Sequence, residues 1–65
     1  MSSGGIIIMR KAIQQALTDP LVHGQLPDKM KVTIDPVLAK DVNDWTTADH
    51  HAAVHVFDWA AVHVV

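Results

Sequence analysis

The chain has 65 residues, of which 49% are apolar, and a formal net charge of −2. A chain this short buries only about 60% of the surface that its unfolded form exposes, so a disulfide, a metal or a partner chain is expected to add stability. It contains no cysteine, which excludes disulfides and thiolate sites, and its slight acidity argues against a nucleic-acid-binding module or an anionic membrane as partner.

The N-terminal third of the chain is predicted to be a helix. Residues 1–5 are small and are expected to form a flexible arm, and residues 6–65 a single small domain. Apolar side chains recur at helical spacing through residues 6–17, and Pro20 is expected to stop the helix. Three consecutive isoleucines favour an alternative, a short strand at residues 5–9 that leads into the helix.

A loop and a strand are predicted next. Two prolines and a glycine in residues 20–28 indicate a loop. The segment KMKVTID at residues 29–35 alternates between apolar and polar side chains, with Met30, Val32 and Ile34 on one side, which predicts a strand. Because a lone strand leaves its backbone groups unpaired, we expect it to pair with the isoleucine segment, the C-terminal segment or a second copy of the chain.

Two helices are predicted after the strand. Asp-Pro at residues 35–36 is a favoured helix start, and Leu38, Val42 and Trp45 follow at the spacing of one apolar stripe. The sequence TTAD at residues 46–49 matches the capping box that opens another helix. The predicted fold class is therefore α+β, mostly helical, with one clear strand and two C-terminal helices, completed by oligomerisation.

The C-terminal tail contains the five-residue sequence AAVHV twice, at residues 52–56 and 60–64. In a strand the two copies are in phase, but no turn separates them, so they cannot form a hairpin. Alanines and the capping box favour a helix over residues 47–65. One side of that helix is then wholly apolar and comprises Ala53, Val56, Phe57, Ala60 and Val64.

The helical interpretation of the tail creates a candidate metal site. His51, His55 and Asp58 fall at i, i+4 and i+7, the donor set that zinc, iron or nickel accepts. The chain has no glutamate, so the base of a metalloprotease motif is missing. The alternative is a solvated polar stripe on an otherwise apolar helix, in which case the protein has no cofactor.

No nucleophile arrangement or phosphate-binding loop is present in the sequence, so we expect no enzyme activity from this chain alone. The favoured hypothesis is a small protein-binding or assembly module, either a homo-oligomer or a subunit or inhibitor docked on a larger complex. Trp59 suits an interface as well as it suits a core. The predicted interaction surface comprises Met30, Val32, Ile34, Val56, Phe57, Trp59 and Val64.

Two alternatives stay open: a metal-binding protein, and a precursor peptide whose repeated tail is modified by an enzyme. The expected partner is a second copy or another protein, not nucleic acid. No stretch of about 20 apolar residues exists to span a membrane, and no targeting signal is present. The expected location is therefore the cytoplasm or a larger assembly.

Overall fold

The computed structural model describes residues 4–65, which form four α-helices and one turn of 3₁₀ helix. The elements in chain order are α1 (Gly4–Thr18), α2 (Pro20–His23), α3 (Asp28–Leu38), the 3₁₀ helix (Val42–Asp44) and α4 (Thr47–His63). Of the predicted N-terminal arm, residues 1–3 lie outside the described residues, whereas Gly4 and Gly5 form the first turn of α1. The isoleucine segment also belongs to α1, so the alternative of a short strand there is wrong.

The predicted α+β class is wrong, because residues 4–65 contain no strand. The segment that alternates between apolar and polar side chains also has a helical period, since Met30, Ile34 and Val37 fall at i, i+4 and i+7. Ile34 and Val37 are buried, whereas Val32 faces away from the core with 76% of its surface exposed. A helix pairs its backbone groups internally, so the segment needs no partner strand.

The helix predicted to start at Asp35 and to carry Leu38, Val42 and Trp45 is wrong, because α3 begins seven residues earlier, continues through Pro36 and ends at Leu38, so that Val42 and Trp45 lie outside it. Proline in a helix removes one backbone hydrogen bond and crowds the preceding turn. The cost is tolerated here because α3 ends only two residues later, at Leu38. The chain then forms the 3₁₀ helix, where the Asp41 carboxylate accepts hydrogen bonds from the Asn43 backbone and side chain at 2.8 Å each. These bonds hold the pKa of Asp41 below its ordinary value.

Helices α1, α3 and α4 enclose one core. Arg10 of α1 bonds to His50 near the start of α4, and the far ends of α1 and α4 line a common cleft, so the two helices run in the same direction. Helix α3 runs opposite to α4, because Lys40, just after α3, pairs with Asp49 near the start of α4. The buried side chains are Ile13, Leu17, Leu26, Ile34, Val37, Val42, Trp45, Ala53, Val56 and Ala60.

Trp45 fixes the connection between α3 and α4. Its side chain is buried, and its indole Nε1 donates a hydrogen bond to the Val37 carbonyl at 2.9 Å. Gln14 of α1 supports the same connection from the other side, because its side-chain amide donates to the carbonyls of Leu38 and Lys40 at 3.1 and 2.9 Å. The connection is therefore attached to α3 through Trp45 and to α1 through Gln14.

Helix α4 begins at the predicted capping box. The Thr46 hydroxyl accepts a hydrogen bond from the Asp49 backbone N–H, and the Asp49 carboxylate accepts one from the Thr46 backbone N–H, each at 3.1 Å. Lys40 adds an ion pair to the Asp49 carboxylate at 2.8 Å. The hydrogen bond from Lys40 is the main cause that lowers the pKa of Asp49. The cap fixes the start of α4 and therefore the direction of every side chain on it.

Candidate functional site

Helices α1 and α4 meet at an apolar cleft, and the uncharged side chains along this side of the two helices are here called the apolar face. In each helix the contributing residues fall at i, i+3 and i+7, so each set lies on one side of its helix. The apolar face comprises Met9, Ala12 and Ala16 of α1 and Val54, Phe57 and Ala61 of α4. Met9 is 43% exposed and Phe57 is 38% exposed, so a large part of each side chain is in contact with solvent.

A shallow cleft of about 210 Å³ opens in the apolar face, between the C-terminal halves of α1 and α4. Its lining residues all have apolar side chains and are Ala16, Leu17, Val22, Phe57, Ala60, Ala61 and Val64. Pockets for drug-sized ligands usually have volumes of about 300–1,000 Å³ and a few polar groups that orient the ligand. This cleft is smaller and has no such group, so it fits an apolar side chain better than a polar metabolite.

Arg10 lies on α1, and its guanidinium binds groups in the 3₁₀ helix and at the start of α4. Its Nε donates to Nδ1 of His50 at 3.1 Å, and its Nη1 donates to the carbonyls of Val42 and Trp45 at 3.3 and 3.4 Å. The guanidinium is half-buried and joins α1 to the 3₁₀ helix and to the start of α4. Because Nδ1 of His50 accepts this bond, the proton of the neutral ring is on Nε2.

The predicted interaction residues are divided between the core and the surface. Ile34 and Val56 are buried, so they stabilise the fold and are not accessible to a partner. Met30 is half-buried against the core, and Val32 lies on the outer side of α3. Phe57 and Val64, by contrast, both line the cleft. Of the predicted interaction residues, these two therefore lie at the cleft.

Trp59 is half-buried at the flank of α4 rather than on the apolar face. Its indole stacks on the imidazole of His63, with ring centroids 4.4 Å apart. The α1 half of the apolar face, made of Met9, Ala12 and Ala16, was not predicted. The signal was present as helical spacing, but the same spacing also predicts burial, and the sequence does not say which apolar side chains a neighbouring helix covers.

The structure places His51, His55 and Asp58 on the same side of α4, and all three are exposed. At about 100° per residue, this side is about 160° away from the buried side that contains Ala53 and Val56. None of the three side chains makes a hydrogen bond or an ion pair. Within residues 4–65, no three His or Asp side chains are grouped closely enough to hold a metal ion as they stand.

Comparison with known proteins gives this chain no relative: no family model, no curated protein and no solved structure matches it. None of the helices found in residues 4–65 is long and apolar enough to cross a membrane.

Proposed function

We propose that this chain is a small, non-enzymatic assembly module that pairs with a second copy of itself through the apolar face. The observation that carries the proposal is a cleft of side-chain size between α1 and α4, lined by apolar residues, with Met9 and Phe57 partly exposed on the same side of the two helices. Contiguous exposed apolar surface is typical of interaction sites. Residues 29–35 belong to α3 and need no partner strand, so the proposal depends on the apolar face alone.

A second copy is the occupant that this surface fits best, because its two halves differ in a complementary way. The α1 half presents the small side chains of Ala12 and Ala16, and the α4 half presents the larger Val54 and Phe57. Since α1 and α4 run in the same direction, a two-fold axis parallel to them stacks α1 of one copy on α4 of the other. Phe57 then meets Ala12 or Ala16 twice in one symmetric interface, and no like charges oppose each other.

The size of the apolar face sets the expected strength of pairing. Seven residue steps along α1 cover about 10 Å, and two packed helices are about 20 Å wide, so the face covers roughly 200 Å² in projection. Side-chain relief increases this area, but it stays below the lower limit of about 500 Å² per partner for a stable specific interface. We therefore expect a weak, concentration-dependent dimer and not a permanent one.

Sedimentation velocity of the full chain over a range of concentrations up to the millimolar range tests the proposal. Ala61→Asp places a carboxylate in the cleft, and we expect this variant to stay monomeric where the parent chain forms dimers. Val62→Asp is the matched control, because Val62 is the next residue, is 78% exposed and points away from the cleft. Ala12→Asp adds an independent variant from the α1 half of the face.

The proposal is overturned if the parent chain is monomeric throughout this range, or if Val62→Asp disrupts pairing and Ala61→Asp does not. Circular dichroism of each variant verifies that it is folded, so that unfolding is not mistaken for loss of pairing. The precursor-peptide hypothesis stays a prediction for a mass measurement on the protein from its native host. Location in the cytoplasm or in a larger assembly likewise stays a proposal.

A further inference from the structure

The five histidines of the chain divide into three whose rings have partners and two whose rings are unbonded. The Nε2 of His23 lies 2.6 Å from the Asp35 carboxylate, and Nδ1 of His50 accepts the bond from Arg10. His63 stacks on Trp59, and its Nδ1 lies 2.9 Å from the Trp59 carbonyl oxygen.

His51 and His55 make no hydrogen bond at either ring nitrogen, although the His51 ring lies 6.2 Å from the ring of His50. Both side chains are exposed. Both ring nitrogens of each are therefore free to bind a ligand without breaking an existing bond, whereas each of the other three histidines already has one ring nitrogen bonded.

We propose that His51 and His55 together bind a first-row divalent transition-metal ion such as Zn²⁺ or Ni²⁺. Residues four apart on a helix face each other one turn apart, about 6 Å along the axis, so two imidazole nitrogens can reach one ion at about 2.0–2.1 Å. Both positions lie inside α4, beyond its capped first turn, so the backbone that carries them is fixed before the ion arrives. This proposal does not depend on pairing through the apolar face.

Asp58 contributes charge to this site but not a metal–ligand bond. An ion held midway between His51 and His55 lies roughly 7.5 Å before Asp58 along the helix axis, which is too far for a short carboxylate to bind it. This distance agrees with the lack of any three-residue metal group within residues 4–65. Water then completes the coordination of the ion, and two imidazole ligands favour Zn²⁺, Ni²⁺ or Cu²⁺ over Mg²⁺ or Ca²⁺.

Metal binding at this site is coupled to the stability of the whole chain. The ion joins two turns of α4, and the opposite side of the same turns supplies Ala53 and Val56 to the core. Because the unfolded chain does not hold the two imidazoles one turn apart, the ion binds the folded state more tightly and raises the melting temperature. At a free ion concentration one hundred times the Kd, we expect a rise of about 10–20 °C.

Thermal unfolding and calorimetric titration of the full chain with ZnCl₂ and NiCl₂, with MgCl₂ as a negative control, test the proposal. We expect one ion per chain and a rise in melting temperature with Zn²⁺ and Ni²⁺. The double variant His51→Gln/His55→Gln should lose both the binding and the rise. The matched control His23→Gln/His63→Gln removes the same number of imidazoles and should keep both, relative to its own metal-free melting temperature.

Asp58→Asn distinguishes a two-ligand site from a three-ligand site. We expect this variant to keep the metal-induced rise and to lose less than tenfold in affinity, because the carboxylate acts only through its charge. The proposal is overturned if Zn²⁺ and Ni²⁺ leave the melting temperature of the parent chain unchanged. It is also overturned if both double variants respond to the ions alike, or if Asp58→Asn abolishes binding as completely as loss of the histidines.

Discussion

The two tryptophans provide a matched test of how the core is built. Trp45 is buried and donates its indole N–H to the Val37 carbonyl at 2.9 Å, whereas Trp59 is half-buried and its indole N–H makes no hydrogen bond within the protein. Tryptophan-to-phenylalanine substitution removes the same atoms at both positions. The difference in stability between the two variants therefore measures the effect of burial and of one hydrogen bond.

The expected loss for Trp45→Phe follows from these contacts. The Val37 carbonyl keeps a second hydrogen bond, from the Lys40 backbone N–H at 3.1 Å, so loss of the indole donor costs about 1 kcal/mol. The smaller ring leaves a void beside the core, which costs a further 1–2 kcal/mol, approximately. The total of about 2–3 kcal/mol is a large part of the roughly 3–10 kcal/mol expected for a chain of this length.

The assay is thermal unfolding followed by circular dichroism at the helix band. We expect Trp45→Phe to lower the melting temperature by about 10–20 °C, and Trp59→Phe to change it by less than about 4 °C. Equal shifts for the two variants, or a larger shift for Trp59→Phe, would refute the assignment of Trp45 to the buried connection between α3 and α4.

Two further predictions concern the polar contacts that join the helices. Arg10→Met should lower the free energy of unfolding, measured by urea denaturation, by about 1–2 kcal/mol, because the acceptors at His50, Val42 and Trp45 lose their donor. Arg10→Lys should restore little of this stability, since an ammonium lacks the planar, forked donors of a guanidinium. Full stability of Arg10→Met would contradict this role. The folded-state pKa of Asp49 lies below its ordinary value of 3.8, so its contribution is present above that pH and is lost as the pH falls through the folded-state value. The melting temperature of the parent chain should therefore fall more steeply below about pH 4 than that of Asp49→Asn. If the melting temperatures of the two proteins change with pH in parallel, the Asp49 carboxylate does not contribute to stability.

The capping box and α4 were predictable because their signals are local. A Thr at the cap position with an Asp three residues later satisfies backbone donors whatever the rest of the chain does. The spacing of His51, His55 and Asp58 along one side of the tail follows from that helix alone. The sequence by itself therefore determined where α4 begins and which side chains share each of its sides.

Segment 29–35 could not be assigned from its own pattern, because its apolar residues fit a period of two and a helical period almost equally well. The choice depended on what covers them: Ile34 and Val37 pack into the core, and Val32 is left exposed. As a helix, this segment satisfies its backbone groups internally and needs no partner strand.

The apolar face was decided by tertiary structure in the same way. Sequence spacing groups Ala12 with Ala16, and Val54 with Phe57, but it does not say that the two groups lie side by side. That proximity exists because α1 and α4 run in the same direction, with Arg10 attached to the start of α4 and the C-terminal halves of both helices around one cleft. The sequence by itself determined the sides of each helix, and only the packing of the helices decided which apolar sides are buried and which form the exposed face.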